Sequence, residues 1–158
     1  MKKHLFAIAV TALAAGTVFA QANDTLAKIK SSGAITLGVR ESSGLSYTLG
    51  NGKYVGFHTE MAERIVTDEH KPVGLTKLET KYQPVTSQNR IPLVTNGTVD
   101  LECGSTTNNA ARQKDVAFGV TTYVEEVRMV VKADSKITSI KDLNGKTVAT
   151  TTGTTSVQ

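Results

Sequence analysis

Residues 87–113, SQNRIPLVTNGTVDLECGSTTNNAARQ, carry a helix start, a turn, a strand and a polar loop in one unbroken stretch. Ser87 is placed to cap a short helix reaching Val94, and Asn96-Gly97 supplies its terminator. Val99, Leu101 and Cys103 alternate with Asp100 and Glu102, which is the period of a strand. Gly104 to Asn109 is a run of small and polar residues, and 108–114 reads as a loop with a turn of helix. A helix that hands over to a strand ending in a polar loop is the building unit of an α/β sheet.

The same alternation extends outward. Upstream, Asp24 is a plausible N-cap for a helix over 25–31 closed by Gly33, and 35–40 reads as a strand. Gly50-Asn51-Gly52-Lys53 is a turn between β segments at 45–49 and 54–57. Met61, Ala62, Ile65 and Val66 form an apolar stripe on a helix over 59–69, which Lys71-Pro72 ends. Residues 75–85 are expected to be extended.

Downstream, 116–120 is expected to be extended and 127–133 a strand, with Val127, Met129 and Val131 opposite Arg128 and Lys132. A short helix over 139–143, a turn at Asn144-Gly145 and a strand over 146–151 follow. Gly153-Thr154-Thr155-Ser156 then resembles a helix start that Thr154 or Ser156 could cap. Strands alternating with helices predict an α/β fold with largely parallel pairing, whose ligands sit beyond the carboxyl ends of the strands.

Chemistry gathers at those ends. Arg40 closes one strand, Ser105 follows another, and Gly153 follows a third. Arg90 and Arg112 lie among hydroxyl and amide side chains, and a guanidinium is a planar fork suited to carboxylates. Three forks converging on one cleft would hold a small ligand with more than one carboxylate. The loop 104–109 could serve an α-amino acid through hydroxyls and main-chain groups, or be a capped loop only. Arg40 and Arg90 could equally face solvent.

The N-terminus has the three parts of an export signal: basic Met1-Lys2-Lys3, an apolar or small run from Leu5 to Phe19, and cleavage patterns near Ala20 or Ala22. The run is short for a membrane span, which needs roughly twenty residues. Without Lys2 and Lys3 the 18 basic residues become 16 against 14 acidic, a net charge of +2. No basic stripe of the nucleic-acid-binding kind is present. Cys103 is the single cysteine, read as a buried thiol or half of a disulfide.

No metal, cofactor or catalytic constellation emerges. His4, His58 and His70 lack ligand spacing, and nucleotide-loop, dinucleotide and nucleophile-elbow motifs are absent. Glu60, Glu63, Asp68 and Glu69 read as the solvated face of one helix. Asp100 and Glu102 are expected to flank the sheet edge, leaving no isolated carboxylate in the cleft.

Taken together, GAITLGVRESS, YVGFHTEMAERI, PVTSQNRIPLVTNGTVDLECGSTTNNAARQKDVAF and DLNGKTVATTTGTTS resemble the periplasmic amino-acid-binding proteins of ABC importers. TSQNRIPL and ECGSTTNN resemble the glutamate/aspartate-binding branch. That resemblance implies a signal peptide over 1–22, lobe one over 23–120, a hinge crossing at 121–128 and the start of lobe two over 129–158. It implies that Ser105, Thr107 and Arg112 hold the ligand's α-carboxylate and α-ammonium, and that the Thr154-Thr155 main chain meets the α-carboxylate. Arg40, Ser87 and Arg90 would take the side-chain carboxylate.

It further implies a periplasmic monomer serving an inner-membrane permease, without cofactor or nucleic acid, and a chain whose second lobe would continue past Gln158. The alternatives are a ligand-sensing receptor domain and a periplasmic dehydratase on the same fold. The dehydratase would be favoured by Glu41 lying inside the cleft.

Overall fold

The computed structural model describes residues 24–69 and 74–157. The signal-peptide reading, His4, His70 and the Lys71-Pro72 helix stop lie outside those residues. Helix α1 (Thr25–Ser32) begins where Asp24 accepts a 3.0 Å hydrogen bond from the Ala27 N–H. It ends at Gly33, whose φ of 66° is the left-handed conformation a C-terminal cap requires. Strand β1 (Ala34–Val39) follows at once. Its AITLGV sequence is buried along almost its whole length, with Leu37 at 0% exposure.

A three-stranded antiparallel ribbon comes next: β2 (Ser42–Ser43), β3 (Ser46–Gly50) and β4 (Lys53–Val55). Asn51 and Gly52 turn between β3 and β4 with φ of 53° and 72°, the positive values a tight hairpin needs. Helix α2 (Phe57–Glu69), strand β5 (Glu79–Pro84), helix α3 (Arg90–Thr95) and strand β6 (Leu101–Glu102) complete the packed part. β5 and β6 flank β1, both parallel to it, in the order β5-β1-β6. The mixed α/β class and parallel pairing expected from the sequence are both present.

The core is Ile29, Ile35, Leu37, Val39, Ala62 and Val66, with Tyr54, Leu75, Leu78, Leu101 and Cys103 packed against it. Of the α2 stripe, Ala62 and Val66 are buried, while Met61 and Ile65 line a cleft. Glu63 is not simply solvated, because Tyr82 of β5 donates to its Oε1 at 2.5 Å.

Strand β6 has only two ladder residues, Leu101 opposite Leu37 and Glu102 opposite Gly38. Asp100 reinforces it. Its side chain is 2% exposed, its Oδ2 accepts from the Thr36 N–H at 2.8 Å, and its own N–H donates to Thr36 O at 2.9 Å. Lys28 Nζ completes the clamp with bonds to Asp100 Oδ1 (2.8 Å) and Gly97 O (2.7 Å). The expectation that Asp100 flanks an open edge is therefore corrected: it bridges β1, β6 and α1.

Three further expectations need correction. Ser87 does not cap α3. Thr86 and Asn89 instead close the preceding turn reciprocally, Thr86 N–H to Asn89 Oδ1 (2.7 Å) and Asn89 N–H to Thr86 Oγ1 (3.2 Å). Residues 127–133 and 146–151 form no strands, and 116–120 joins no sheet. Alternation makes a segment fit for a sheet, but a strand exists only beside a partner that takes its N–H and C=O groups. Among the described residues none lies there, and Val127 and Val130 are exposed. The 139–143 helix is a 3-10 turn, Ile140–Leu143, held by the Ser139/Asp142 capping box.

The Asp100 clamp predicts a large effect from a small change. Asp100→Ala should destabilise the fold by about 2–3 kcal/mol, since it orphans the Thr36 N–H and removes a charge-assisted contact. Urea unfolding would read this as a lower midpoint. An unchanged midpoint would mean that the two-residue β6 ladder holds without the clamp.

Candidate functional site

The carboxyl ends of β1, β5 and β6 deliver the polar residues. Arg40 directly follows β1, the Val85–Ser87 segment follows β5, and Glu102 to Thr107 leave β6. Arg90 opens α3 and is 3% exposed. Its Nε and Nη1 are buried without a hydrogen-bond partner, as is the Nε of Arg40. Buried polar groups are normally satisfied, and a buried unpaired charge costs more than a neutral group.

Burial holds the Arg90 guanidinium below its ordinary value; nearby Glu102 counters this, while Arg112 and Arg40 add to it. The three arginines expected to act together are thus in electrostatic contact. Arg40 makes one long bond, Nη1 to Val85 O at 3.4 Å. Arg112 is better occupied: Nη1 donates to Thr107 O (3.1 Å) and Nη2 to Gly153 O (3.0 Å).

Two clefts lie beside these residues. The larger, about 510 Å³, is walled by Glu102, Ser105, Thr107 and Thr155 on its polar side and by Met61, Ile65, Phe118 and Val127 on its apolar side. The smaller, about 370 Å³, is lined by Arg40, Glu41, Ser87, Thr151 and Thr152 among others. Arg90 and Arg112 line neither. The three guanidinium groups therefore do not open onto one cleft as expected.

The physical reason is the loop over 151–155, which runs from one cleft to the other. Gly153 (φ 79°) lies so close to the chain at Ser87-Gln88 that an added Cβ would sit 2.6 Å from Ser87 O. The Arg112–Gly153 bond and a 3.5 Å approach between the Thr107 and Thr155 hydroxyls complete the contact. Thr154 is spent on its own turn. Its hydroxyl donates to Thr151 O (2.7 Å) and accepts from the Ser156 N–H (3.3 Å), while its N–H points at Thr151 O (3.4 Å). Thr154, not Ser156, is accordingly the cap of the 3-10 turn Thr155–Val157.

Two site-facing groups were not expected. Glu102 stands in the wall of the larger cleft, so a carboxylate is present where the sequence suggested none. Its Oε2 accepts from Thr106 Oγ1 at 2.6 Å, and its Oε1 is buried without a partner. The available signal was its place in a parallel strand, because such strands are covered on both faces and seldom carry a charge without a purpose. His58 is 2% exposed, with Nε2 3.1 Å from Thr122 Oγ1 and Nδ1 unpartnered. Glu41, whose burial would favour the enzymatic reading, is exposed at the smaller cleft. Cys103 is a free, partly buried thiol that burial and Glu102 push up to about 11.

Comparison with known proteins places this geometry. The family model of the bacterial extracellular solute-binding proteins, family 3, matches residues 35–155. The L-glutamate/L-aspartate-binding protein of Pseudomonas aeruginosa is 45% identical over 95% of this chain and 50% of its own length. The glutamate/aspartate import solute-binding protein of Escherichia coli K12 is 44% identical over 99% of this chain and 54% of its own. The chain spans about half the length of the curated relatives it matches. Among solved structures, the cysteine-binding protein of Campylobacter jejuni superposes with a TM-score of 0.58 at 23% identity, over 75% of this chain and 47% of that one.

His58 gives the site a pH signature. Burial, partly offset by Glu102, holds its imidazole below the ordinary value of about 6.5, so the folded state favours the neutral ring. Its contribution to stability is complete above that value and falls as pH drops through it, because the unfolded chain then binds the proton first. Urea midpoints at pH 7.5 and 5.5 should separate more in the native protein than in His58→Gln. Equal separations would remove His58 from the account.

Proposed function

The chain belongs to the bacterial extracellular solute-binding proteins, family 3, and from that premise we propose that it captures L-glutamate or L-aspartate in the periplasm for an ABC importer. The observation that carries this reading is the buried Arg90 guanidinium with two N–H groups unmet. A ligand that brings a second carboxylate supplies the missing acceptor. Arginine keeps its charge at neutral pH and offers a rigid fork, which suits bidentate capture of that group. The relatives from Pseudomonas aeruginosa and Escherichia coli, both named for glutamate and aspartate, support the same ligand class.

In this proposal residues 1–22 are a signal peptide cleaved near Ala20 or Ala22. Lobe one spans 23–120, the hinge crossing 121–128, and the beginning of lobe two 129–158. Arg40, Ser87 and Arg90 hold the side-chain carboxylate. Ser105, Thr107 and Arg112 hold the α-carboxylate and α-ammonium, and the Thr154-Thr155 main chain approaches the α-carboxylate. The protein acts as a monomer, hands its ligand to an inner-membrane permease, and performs no catalysis. Ser87 suits its role, since its release from capping α3 leaves the hydroxyl uncommitted beside Arg40 in the smaller cleft.

The test is calorimetric titration with L-glutamate and L-glutamine. Glutamine matches glutamate in shape but leaves a buried guanidinium unpaired, a penalty of about 3 kcal/mol or more, so glutamate should bind at least about 100-fold more tightly. Arg90→Gln should erase most of that preference. Equal binding of the two ligands by the native protein would overturn the acidic-ligand reading.

A further inference from the structure

We propose that His58 is the positioning residue for the segment over 121–128, and with it one wall of the larger cleft, and that it holds this segment only while its ring is neutral. The inference concerns the cleft of the proposed function but does not depend on which ligand fills it.

The segment has little else to hold it. Residues 119–128 belong to no helix or strand. Among the described residues, the 3.1 Å contact between His58 Nε2 and Thr122 Oγ1 is the only hydrogen bond that joins 119–128 to the rest of the chain. Yet residues 121–125 and Val127 line the larger cleft together with Ser105 and Thr107. Where that tether goes, part of the cleft wall goes with it.

The other end of the tether is fixed. His58 is the second residue of α2, and its N–H donates to Leu45 O at 2.9 Å. Thr59 Oγ1 lies 3.0 Å from Ser46 Oγ, which secures the same turn to β3. The Phe57 ring stands 5.2 Å from the imidazole. His58 is thus buried on the body of the fold, while Thr122, which it reaches, is exposed.

A ring in this place can satisfy one nitrogen and not two. Nε2 has Thr122, and Nδ1 is buried without a partner. Neutral imidazole tolerates that, but imidazolium is a donor at both nitrogens. It would bury a charged N–H that meets no acceptor. The N-terminal end of α2 opposes a cation as well.

The ionisable neighbours do not reverse this. Glu102 and Cys103 of the β6 side share the cleft with His58, as do Tyr123 and Glu125 of the segment itself. Tyr47, Lys53 and Tyr54 lie on the strands against which α2 packs, and α2 carries Glu60, Glu63 and Arg64 further along. Burial disfavours the charged ring, and Glu102, which favours it, is outweighed. Protonation is relieved when the ring moves out to water, and that movement breaks the Thr122 contact. A released ring has the ordinary value of about 6.5. The anchor is therefore at full strength above that value and weakens as pH falls through it.

The experiment measures nitrogen-15 backbone order parameters over 121–127 at pH 7.5 and 5.0. In the native protein they should stand near about 0.85 at pH 7.5 and drop below about 0.6 at pH 5.0. His58→Gln keeps a side-chain amide for Thr122 but has no proton to take up, so its order should not change with pH. Thr122→Val, at an exposed position, removes the tether without touching the core and should be disordered over this stretch at both pH values. Native order that does not change with pH would overturn the proposal. So would an acid loss that persists in His58→Gln, or a Thr122→Val segment as ordered as the native one at pH 7.5. Should His58→Gln fail to fold, Thr122→Val decides. L-glutamate supplies the second readout: native affinity should fall in acid by up to about tenfold per pH unit, and that of His58→Gln should fall less. Equal falls in the two proteins would remove His58 from the positioning of the wall. No glutamate binding at either pH would overturn the acidic-ligand reading and leave the anchor decided by the order parameters.

Discussion

The clamp that Asp100 closes on Thr36 is the contact on which the arrangement depends. A two-residue ladder is a weak tether, yet everything that follows β6 inherits its position from it. By meeting both peptide groups of Thr36, Asp100 extends the pairing of β6 with β1 by a residue that forms no ladder of its own. Lys28 carries the connection to α1. Gly38 contributes from the other side: a Cβ there would stand 3.0 Å from Val99 and 3.2 Å from Glu102, so β6 approaches this closely only because β1 has no side chain at that point. Glu102, Gly104, Ser105 and Thr107 are set by these short-range constraints before any ligand is considered.

The same sheet explains why the polar site can exist. A parallel sheet buries its strands and leaves their carboxyl ends as the place where polar groups can gather without breaking the core. Arg90 is held there with unmet donors, and Glu102 with an unmet acceptor. Neither is an efficient way to stabilise the empty fold, since unpaired buried groups oppose folding. A ligand that satisfies them binds the folded state alone and so raises its stability by mass action. On the proposed function, preorganised but unsatisfied groups are what a receptor requires, because satisfied ones would have nothing left for the ligand.

Much of this was legible in the chain, and what was legible was local. Asp24 and Gly33 announce the ends of α1, and Asn51-Gly52 announces a hairpin, because caps and turns are decided by a few neighbouring residues. The hydroxyl expected to cap α3 is that of Ser87, but the turn before the helix is closed one residue earlier by Thr86, and only the partner, Asn89, tells the two hydroxyls apart. The pattern at 127–133 states which faces would be apolar, not which strand would lie alongside. Three arginines among hydroxyls were visible as chemistry. Their failure to open onto one cleft was not, since it depends on a contact between Arg112 and Gly153, which are 41 residues apart in the chain. Glu102 and His58 were hidden by periodicity, which sorts residues by face and treats every charged one as solvent-facing.

That loop sets a condition on how the site can work. Arg112 already donates to two carbonyls, Thr107 O and Gly153 O, which are neutral acceptors. A ligand carboxylate is the stronger partner for a guanidinium, so Arg112 can serve a ligand only by exchanging one kind of bond for the other. Thr154 is in the same position, with its N–H and hydroxyl turned to Thr151. A ligand moves such an equilibrium only by as much as it favours one state over the other. On the proposed assignment, the contacts that hold 151–155 against Ser87 and Thr107 would compete directly with ligand binding. Arg112, which bonds both Thr107 O and Gly153 O, is where that competition would be resolved.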